Sequence, residues 1–278
     1  MAKIKRERIA PLNIHYLFYS LEYYLDTEAA LGVKTLEFWP GTPHFYLGTM
    51  NYTDCSQVRR AIESRGMQVK IITPENCTYQ YQFAAQTPEQ YELSYKYFVN
   101  ALKAGEELGA KTMAINSGWG YWNEDRDEAW KRSSDMLGKL AIEAEKHGIV
   151  LAMESLRPQE SKLVTTLADA KRMFDEVCHP SLKVMIDTTA MGVAGETLDQ
   201  WFDVFGKDIV HMHFIDGNPY GHLIWGDGNH PLGEWLDTLD RHGYTGYLGQ
   251  EITDFDYFDD PAGADARNMK AYNPYLED

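Results

Sequence analysis

The chain alternates short runs of apolar and β-branched residues with longer segments whose apolar positions recur at helical spacing. The short runs are typical of buried strands in a parallel sheet, and the longer segments are typical of helices that pack one face on such a sheet. The eight predicted strands occupy residues 11–16, 35–39, 67–73, 110–116, 149–155, 182–187, 209–215 and 246–252. A helical segment follows each strand, so the pattern predicts eight β-then-α units.

Two of the predicted helices carry clear boundary residues. Thr87 suits an N-cap, Pro88 suits the first helical position, and Gln90 predicts a capping box with Thr87. This helix is expected to stop at Gly109. The segment 124–148 begins with acidic residues and ends in Lys-His-Gly, as the helix dipole and a left-handed glycine cap prefer.

The number of units decides between two architectures with parallel sheets. Eight units in 278 residues, with no linker between halves, match a (β/α)8 TIM barrel, predicted as a single domain over residues 1–278. A doubly wound sheet usually has fewer strands and a glycine-rich phosphate turn after the first one. Here LFYSLEYYL follows the first predicted strand and contains no glycine. We therefore predict the α/β class and the barrel.

A residue suited to bind a metal stands at the end of each of the last four predicted strands. In a barrel, side chains alternate between the interior and the helix layer, and catalytic groups collect where the carboxyl ends of the strands meet. The four residues placed at this mouth are Glu154, Asp187, His213 and Glu251. His211 lies one layer deeper than His213 and is expected to form a hydrogen bond inside the barrel.

Three carboxylates and one imidazole form a ligand set of mainly hard oxygen donors. Such a set suits Mn²⁺ first, with Mg²⁺, Co²⁺ or Zn²⁺ as alternatives, and no organic cofactor is expected. A divalent cation also removes the cost of burying unpaired carboxylates. Taken singly, each acid could instead cap a helix, and the histidine could be a satisfied core residue. Their occurrence on four successive strands favours a metal site.

Polar and aromatic residues at other strand ends suit a carbohydrate pocket. The expected substrate contacts among them are Trp39, His44, Glu75 and Trp119. The alternative is that the aromatic side chains plug the barrel or form a subunit contact. Glu37, beneath Trp39 on the interior face, is predicted to be a buried hydrogen-bonding partner rather than a catalyst.

The charge of the chain bears on its partners. Asp and Glu number 42 against 26 Lys and Arg, which gives a formal net charge of −16. Such a surface repels phosphate backbones and anionic lipids, so we expect a small-molecule ligand, no nucleic acid and no membrane partner. Three scattered cysteines, no signal-peptide pattern and no apolar stretch of spanning length indicate a cytoplasmic protein.

Several blocks of the sequence resemble a known family. AMESLRPQES, VMIDTTAMG, VHMHFIDG and GDGNHPLGEWLDTLDRHGYTGYLGQEI are similar to the xylose-isomerase-like barrels of sugar isomerases and epimerases. Within these, the chain resembles the ketose 3-epimerases of the D-tagatose and D-psicose type. FWPGTPHFY, TPENCTYQY and ESKLV bring it nearer to the fructoselysine 3-epimerases. The resemblance extends over nearly the whole chain.

The resemblance implies roles for individual residues. The metal ligands of the family fall on the same four residues that strand alternation places at the mouth. Its two catalytic acid/base residues fall on Glu154 and Glu251. Glu160 matches a substrate-contacting glutamate, and His222 resembles a histidine of the fructoselysine enzymes. Asp216, in the VHMHFID block, is a further expected substrate contact.

The chain departs from the tagatose and psicose enzymes at two positions. Ala190 stands where they carry a histidine, and Pro219 stands where they carry an arginine. Both departures weaken an assignment to free ketohexoses. Arg157 is expected either to bind substrate or to neutralise Glu160, and the sequence leaves both roles open.

The implied reaction is inversion of C3 of a ketose or ketosamine through a metal-stabilised cis-enediolate, with the two glutamates exchanging base and acid roles. An aldose–ketose isomerase or an inosose-dehydratase-like lyase shares the first proton abstraction and remains an alternative. Ala190 and the −16 charge argue against a phosphoesterase of the endonuclease IV type, and two opposed glutamates argue against a non-catalytic sugar-binding barrel. By resemblance, a homo-oligomer is expected, either a dimer or a tetramer.

Overall fold

Eight parallel strands form a nearly closed barrel inside a layer of helices, as a computed structural model shows for residues 2–77 and 81–277. The strands are β1 (Ile9–Pro11), β2 (Thr35–Phe38), β3 (Gln68–Ile72), β4 (Thr112–Ile115), β5 (Val150–Met153), β6 (Leu182–Asp187), β7 (Ile209–His213) and β8 (Leu248–Gln250). The helices are α1 (Leu21–Ala30), α2 (Cys55–Glu63), α3 (Pro88–Leu108), α4 (Arg126–Lys146), α5 (Leu167–Val177), α6 (Thr188–Ala194), α7 (Leu198–Phe205), α8 (Leu232–Arg241) and α9 (Pro261–Tyr272). The predicted TIM barrel is confirmed. Residues 78–80, within the quoted block TPENCTYQY, lie outside the described residues.

The predicted helix boundaries agree with the structure. The Thr87 hydroxyl accepts a hydrogen bond from the Gln90 backbone N–H at 3.2 Å, which is one half of the predicted capping box. Gly109 ends α3 with a left-handed φ of 96°. None of the helices in the described ranges combines the length and apolar character needed to cross a bilayer.

The first strand was placed wrongly, because β1 shares only Pro11 with the predicted range 11–16. Residues Ile14–Tyr16 form a 3₁₀ turn instead. The side chains of His15 and Tyr16 in this turn are buried because both bind Asp265 of α9, at 3.0 and 2.7 Å. Residues 14–16 were predicted as part of a strand because they are largely apolar, but His15 and Tyr16 are buried by packing against α9.

Small side chains fill most of the barrel interior. Its apolar core consists of Ala10, Ile71, Ala114, Ala152 and Met185. Ala152 and Met185 lie two residues before Glu154 and Asp187, so the strand alternation points these two acids into the mouth. The narrow apolar layer leaves room for polar groups above it.

Gln250, which alternation places on the helix side of β8, is buried and fully hydrogen-bonded. Its Nε2 donates to the carbonyls of Phe214 at 3.1 Å and Leu248 at 2.9 Å. Its Oε1 accepts from Asn268 at 2.9 Å and from the Tyr272 hydroxyl at 3.2 Å. The polar residue thus fastens α9 to the outside of the barrel at the strand that leads into Glu251.

A side chain completes the barrel wall between β1 and β2. The backbone ladder runs from β1 through β8 and round to β2, and within the described residues no ladder joins β1 to β2. Asn13 bridges them: its Oδ1 accepts from the Trp39 N–H at 2.8 Å, and its Nδ2 donates to the Trp39 carbonyl at 3.0 Å. Nδ2 also donates to Nδ1 of His44 at 2.9 Å. The Asn13 amide therefore positions the backbone of Trp39 at the mouth.

We expect Asn13→Ala to destabilise the barrel. The substitution leaves the partly buried N–H of Trp39 without an acceptor, which costs about 1–3 kcal/mol. Urea denaturation followed by circular dichroism measures the change in the free energy of unfolding. Asn123→Ala, at an exposed position, is the matched control and should change it by less than about 0.5 kcal/mol. Equal stability of both variants would contradict the bridging role of Asn13.

Candidate metal centre

The four predicted ligands meet at the carboxyl ends of four neighbouring strands. Glu154 follows β5, Asp187 ends β6, His213 ends β7 and Glu251 follows β8. Each offers one ligand atom, and these atoms all lie within 4.8 Å of one another. This group, the four-residue cluster, could hold a metal ion.

The imidazole of His213 is oriented by a carboxylate behind it. Its Nε2 donates to Glu37 Oε1 at 3.0 Å, which directs Nδ1 into the cluster. Nδ1 lies 2.7 Å from Glu154 Oε1 and 3.0 Å from Glu251 Oε2. Neither Nδ1 nor Glu154 Oε1 has a hydrogen-bond partner, although both atoms are buried. A carboxylate that holds one imidazole nitrogen while the other faces acidic oxygens is the arrangement found at metal-binding histidines.

Asp187 has two roles, one for each carboxylate oxygen. Its Oδ1 caps α6 by accepting from the backbone N–H groups of Thr189 at 2.6 Å and Ala190 at 3.0 Å. Its Oδ2 points to the cluster and lies 3.5 Å from Nε2 of His222. Capping a helix and serving as a ligand are therefore compatible at this residue.

Glu37 lies beneath the cluster and holds both histidines of β7. It accepts from His211 at 2.8 Å as well as from His213, as the sequence predicted for a buried hydrogen-bonding group. Burial opposes ionisation of Glu37, but the two imidazoles outweigh it and lower the pKa to about 2. A Cβ on Gly249 would lie 2.3 Å from Glu37 Oε2, so only glycine leaves room for this carboxylate.

The two predicted catalytic glutamates have opposite pKa shifts. Burial, together with the neighbouring Glu251 and Asp187, raises the pKa of Glu154 to about 8 although His213 opposes the shift. Burial also acts on Glu251, but His213 and His222 outweigh it and lower the pKa of this carboxyl. Without a cation, the cluster therefore retains a proton that metal binding must displace.

A cavity of about 200 Å³ opens at the cluster. Its lining includes the predicted contacts Trp39, Glu75, Arg157, Glu160 and His222. Arg157 pairs with Glu160: its Nε lies 3.0 Å from Oε2 and its Nη2 lies 2.5 Å from Oε1. Of the two roles left open by the sequence, the structure shows the neutralisation of Glu160.

Three expected substrate contacts, Asp216, His44 and Trp119, lie outside the lining of this cavity. Asp216 is buried, and its carboxylate accepts from four backbone N–H groups of the loop between β7 and α8, those of Gly217, Gly226, Gly228 and His230. His44 donates from Nε2 to the Tyr19 carbonyl at 2.9 Å and accepts from Asn13. Both residues thus hold loops in place, and Asp216 holds the loop that carries His222. Trp119 lines an adjoining cavity instead.

Sequence reasoning missed some of the lining residues. Asn116 is buried at the end of β4 and lines the cavity. It lies two residues after Ala114, which faces the barrel interior, so the alternation used for the later strands would have found it. Cys77 also lines the cavity but stands in a loop, where no periodic pattern indicates its direction.

Comparison with known proteins agrees with this architecture. The xylose isomerase-like TIM barrel family matches residues 25–272. The chain belongs to this family. Fructoselysine 3-epimerase from Escherichia coli O157:H7 is 28% identical over 244 residues, which cover 87% of this chain and 88% of that protein.

Two further relatives have lower sequence identity to this chain. D-psicose 3-epimerase from Ruminiclostridium cellulolyticum is 21% identical, covering 86% of this chain and 82% of that protein. The crystal structure of D-allulose 3-epimerase from Methylomonas sp. superposes with a TM-score of 0.81 at 15% identity, covering 99% of this chain and 100% of that one, which shows the shared fold. The two curated relatives named above are epimerases, and they confirm the prediction that this chain is an isomerase.

We expect Glu37→Gln to weaken binding of Mn²⁺ by about 10–100-fold. A glutamine has a single acceptor oxygen for two imidazole N–H groups, so His213 loses its fixed orientation. Isothermal titration calorimetry on metal-stripped protein measures the change. Glu28→Gln, at an equally buried glutamate on α1, is the matched control and should bind as the wild type does. Unchanged affinity in a folded Glu37→Gln protein would show that the orientation of His213 is independent of Glu37.

Metal affinity should fall as the pH is lowered from about 8 to about 6. Below its raised pKa of about 8, Glu154 carries a proton, and the surrounding carboxylates also raise the pKa of His213 against the effect of burial, so the cluster must release protons when a cation binds. Each proton displaced weakens binding about tenfold per pH unit. Calorimetry in two buffers of different ionisation enthalpy counts the protons released. A pH-independent affinity would contradict the protonated state of the cluster.

Proposed function

We propose that this chain is a divalent-metal-dependent sugar epimerase that inverts C3 of a ketose or ketosamine. The observation that carries the proposal is that Nδ1 of His213 has no hydrogen-bond partner and lies between the carboxylates of Glu154 and Glu251, which both line a cavity. Two of its relatives, a fructoselysine 3-epimerase and a D-psicose 3-epimerase, support the same reaction class and the same carbon.

The residues present fit a divalent cation. One imidazole and three carboxylates converge at the cluster. Two of their possible ligand atoms, Nδ1 of His213 and Oε1 of Glu154, are buried and have no hydrogen-bond partner. We propose Mn²⁺ as the ion, with Mg²⁺, Co²⁺ or Zn²⁺ as alternatives, because the donors are mainly oxygen atoms. A bound cation would polarise the C2 carbonyl and stabilise the negative charge that develops when the C3 proton leaves.

Glu154 and Glu251 are suited to exchange the proton at C3. They follow β5 and β8, three strands apart in the barrel, and both line the cavity. A sugar between them presents one face of C3 to each carboxylate. In one direction, a carboxylate takes the C3 proton while the electron pair of the broken C–H bond moves towards the C2 carbonyl. The carboxyl group on the other side then delivers a proton to the opposite face, and the reverse reaction exchanges the roles.

His222 extends this proton path. Its Nδ1 lies 3.1 Å from Glu251 Oε2, and its Nε2 faces Asp187. The imidazole therefore lies close enough to the Glu251 carboxylate to exchange a proton with it. Trp39 forms another part of the cavity lining and offers a flat ring against the C–H face of a sugar.

Deuterium wash-in tests the reaction. Metal-stripped protein, reloaded with Mn²⁺, is incubated in heavy water with D-psicose, D-tagatose, D-fructose and fructoselysine, and the sugars are examined by NMR. Deuterium at C3 together with a new epimer supports the proposal. Deuterium confined to C1 would identify an aldose–ketose isomerase, and loss of water would identify a lyase. No exchange in any sugar by metal-loaded protein would contradict 3-epimerisation of these substrates.

We expect Glu154→Gln and Glu251→Gln each to reduce kcat for C3 exchange by about 10²–10⁴-fold, the usual contribution of a positioned acid or base. Metal content, measured by mass spectrometry, separates loss of proton transfer from loss of the ion. Glu234→Gln, at an exposed position on α8, is the control and should keep the wild-type rate. Variants that hold metal and retain full exchange would remove these residues from the proton path.

A further inference from the structure

A second cavity of about 340 Å³ adjoins the first. The two cavities share part of their lining, namely Asn76, Cys77, Asn116, Leu156 and Glu160. Beyond the shared wall, the second cavity is lined by Trp119, Trp122 and Gln159. The two cavities therefore lie against the same residues, and a molecule whose reacting carbon lies at the four-residue cluster would reach the second cavity if it extended past them. We call this second space the tryptophan cavity.

Two buried polar atoms on residues that line the tryptophan cavity have no hydrogen-bond partner. One is the indole Nε1 of Trp119, a donor, and the other is Oδ1 of Asn76, an acceptor. The Asn76 side chain is about nine-tenths buried, with 9% of its surface exposed. Buried polar groups without partners are rare in native proteins, and a ligand that offers one acceptor and one donor would satisfy both.

The charges along the two cavities exclude an anionic occupant. Among the described lining residues, Arg157 is the only cationic side chain of either cavity, apart from histidine, and it already pairs with Glu160. The shared wall therefore offers no unpaired cationic side chain among the described residues, and the chain as a whole carries −16. A phosphate or carboxylate at the shared wall would have no cationic partner, whereas a neutral or positively charged linkage would not need one.

We infer that the tryptophan cavity is a binding subsite for a substituent carried by the ketose. The substituent has an apolar body that packs on the rings of Trp119 and Trp122, and it has no negative charge at its link to the sugar. This inference rests on the proposed function, because it requires C3 of the sugar to lie at the four-residue cluster. The preferred substrate is therefore an extended ketose, joined to its substituent through an amine or an ether, rather than a free hexose.

Defined probes test the subsite. The rate of C3 deuterium exchange is measured for D-fructose, for 1-butylamino-1-deoxy-D-fructose, for 6-O-butyl-D-fructose and for D-fructose 1-phosphate. We expect kcat/KM for at least one butyl-bearing probe to exceed that for D-fructose by about tenfold, from burial of the butyl group. The phosphate should react more slowly than D-fructose. The two butyl probes distinguish an amine link at C1 from an ether link at C6. Equal or higher kcat/KM for D-fructose than for both butyl probes would overturn the inference.

Variants locate the effect. In Trp119→Phe and Trp122→Ala, the ratio of kcat/KM for the better butyl probe to that for D-fructose should fall by about fivefold to tenfold. Phe255→Ala removes another exposed aromatic side chain, one that lines neither cavity, and should leave the ratio unchanged. A ratio that stays constant in both tryptophan variants would place the butyl group elsewhere and contradict the subsite.

A direct binding measurement separates failure of the subsite from failure of the proposed function. If no probe exchanges its C3 proton, the epimerase proposal fails, and calorimetry with Mn²⁺-loaded protein still compares affinities. Tighter binding of a butyl probe than of D-fructose, lost in Trp122→Ala, would support the subsite independently of catalysis. Equal affinities of all probes would overturn it.

Discussion

The hydrogen bond from His213 to Glu37 is the interaction on which the candidate metal centre depends. Through this bond, Nε2 of the imidazole faces the barrel interior and Nδ1 faces Glu154 and Glu251. Without it, the ring would be free to pair with either carboxylate and the cluster would lose its common centre. A buried carboxylate with two imidazole donors is also stable in its charged form, so Glu37 supplies permanent negative charge beneath the site.

The barrel core is built around this interaction. Its apolar layer consists largely of small side chains, and glycine at position 249 leaves the space that the Glu37 carboxylate occupies. The cost of concentrating acids above this layer is visible in the raised pKa of Glu154. A cation at the cluster would neutralise these carboxylates. The buried acids therefore destabilise the metal-free protein and favour binding of a metal.

The periphery of the site is held by side chains that bind backbone. Asn13 joins β1 to the start of the loop that follows β2, and Asp216 gathers four N–H groups of the loop that carries His222. These loops lie beside a polar cavity that adjoins the tryptophan cavity. Because the loops are anchored, the site can hold a flexible sugar with one carbon placed between two carboxylates.

The sequence by itself determined the barrel and its four candidate ligands. Strand alternation has a fixed period, so residues two apart share a face, and parallel strands bring their carboxyl ends together. Only the tertiary structure decided what the loop residues do. Asp216 and His44 bind backbone groups, Arg157 pairs with Glu160, and Trp119 borders a second cavity. Loops have no period, and the direction of their side chains is set by partners that are distant in the chain, which local sequence does not reveal.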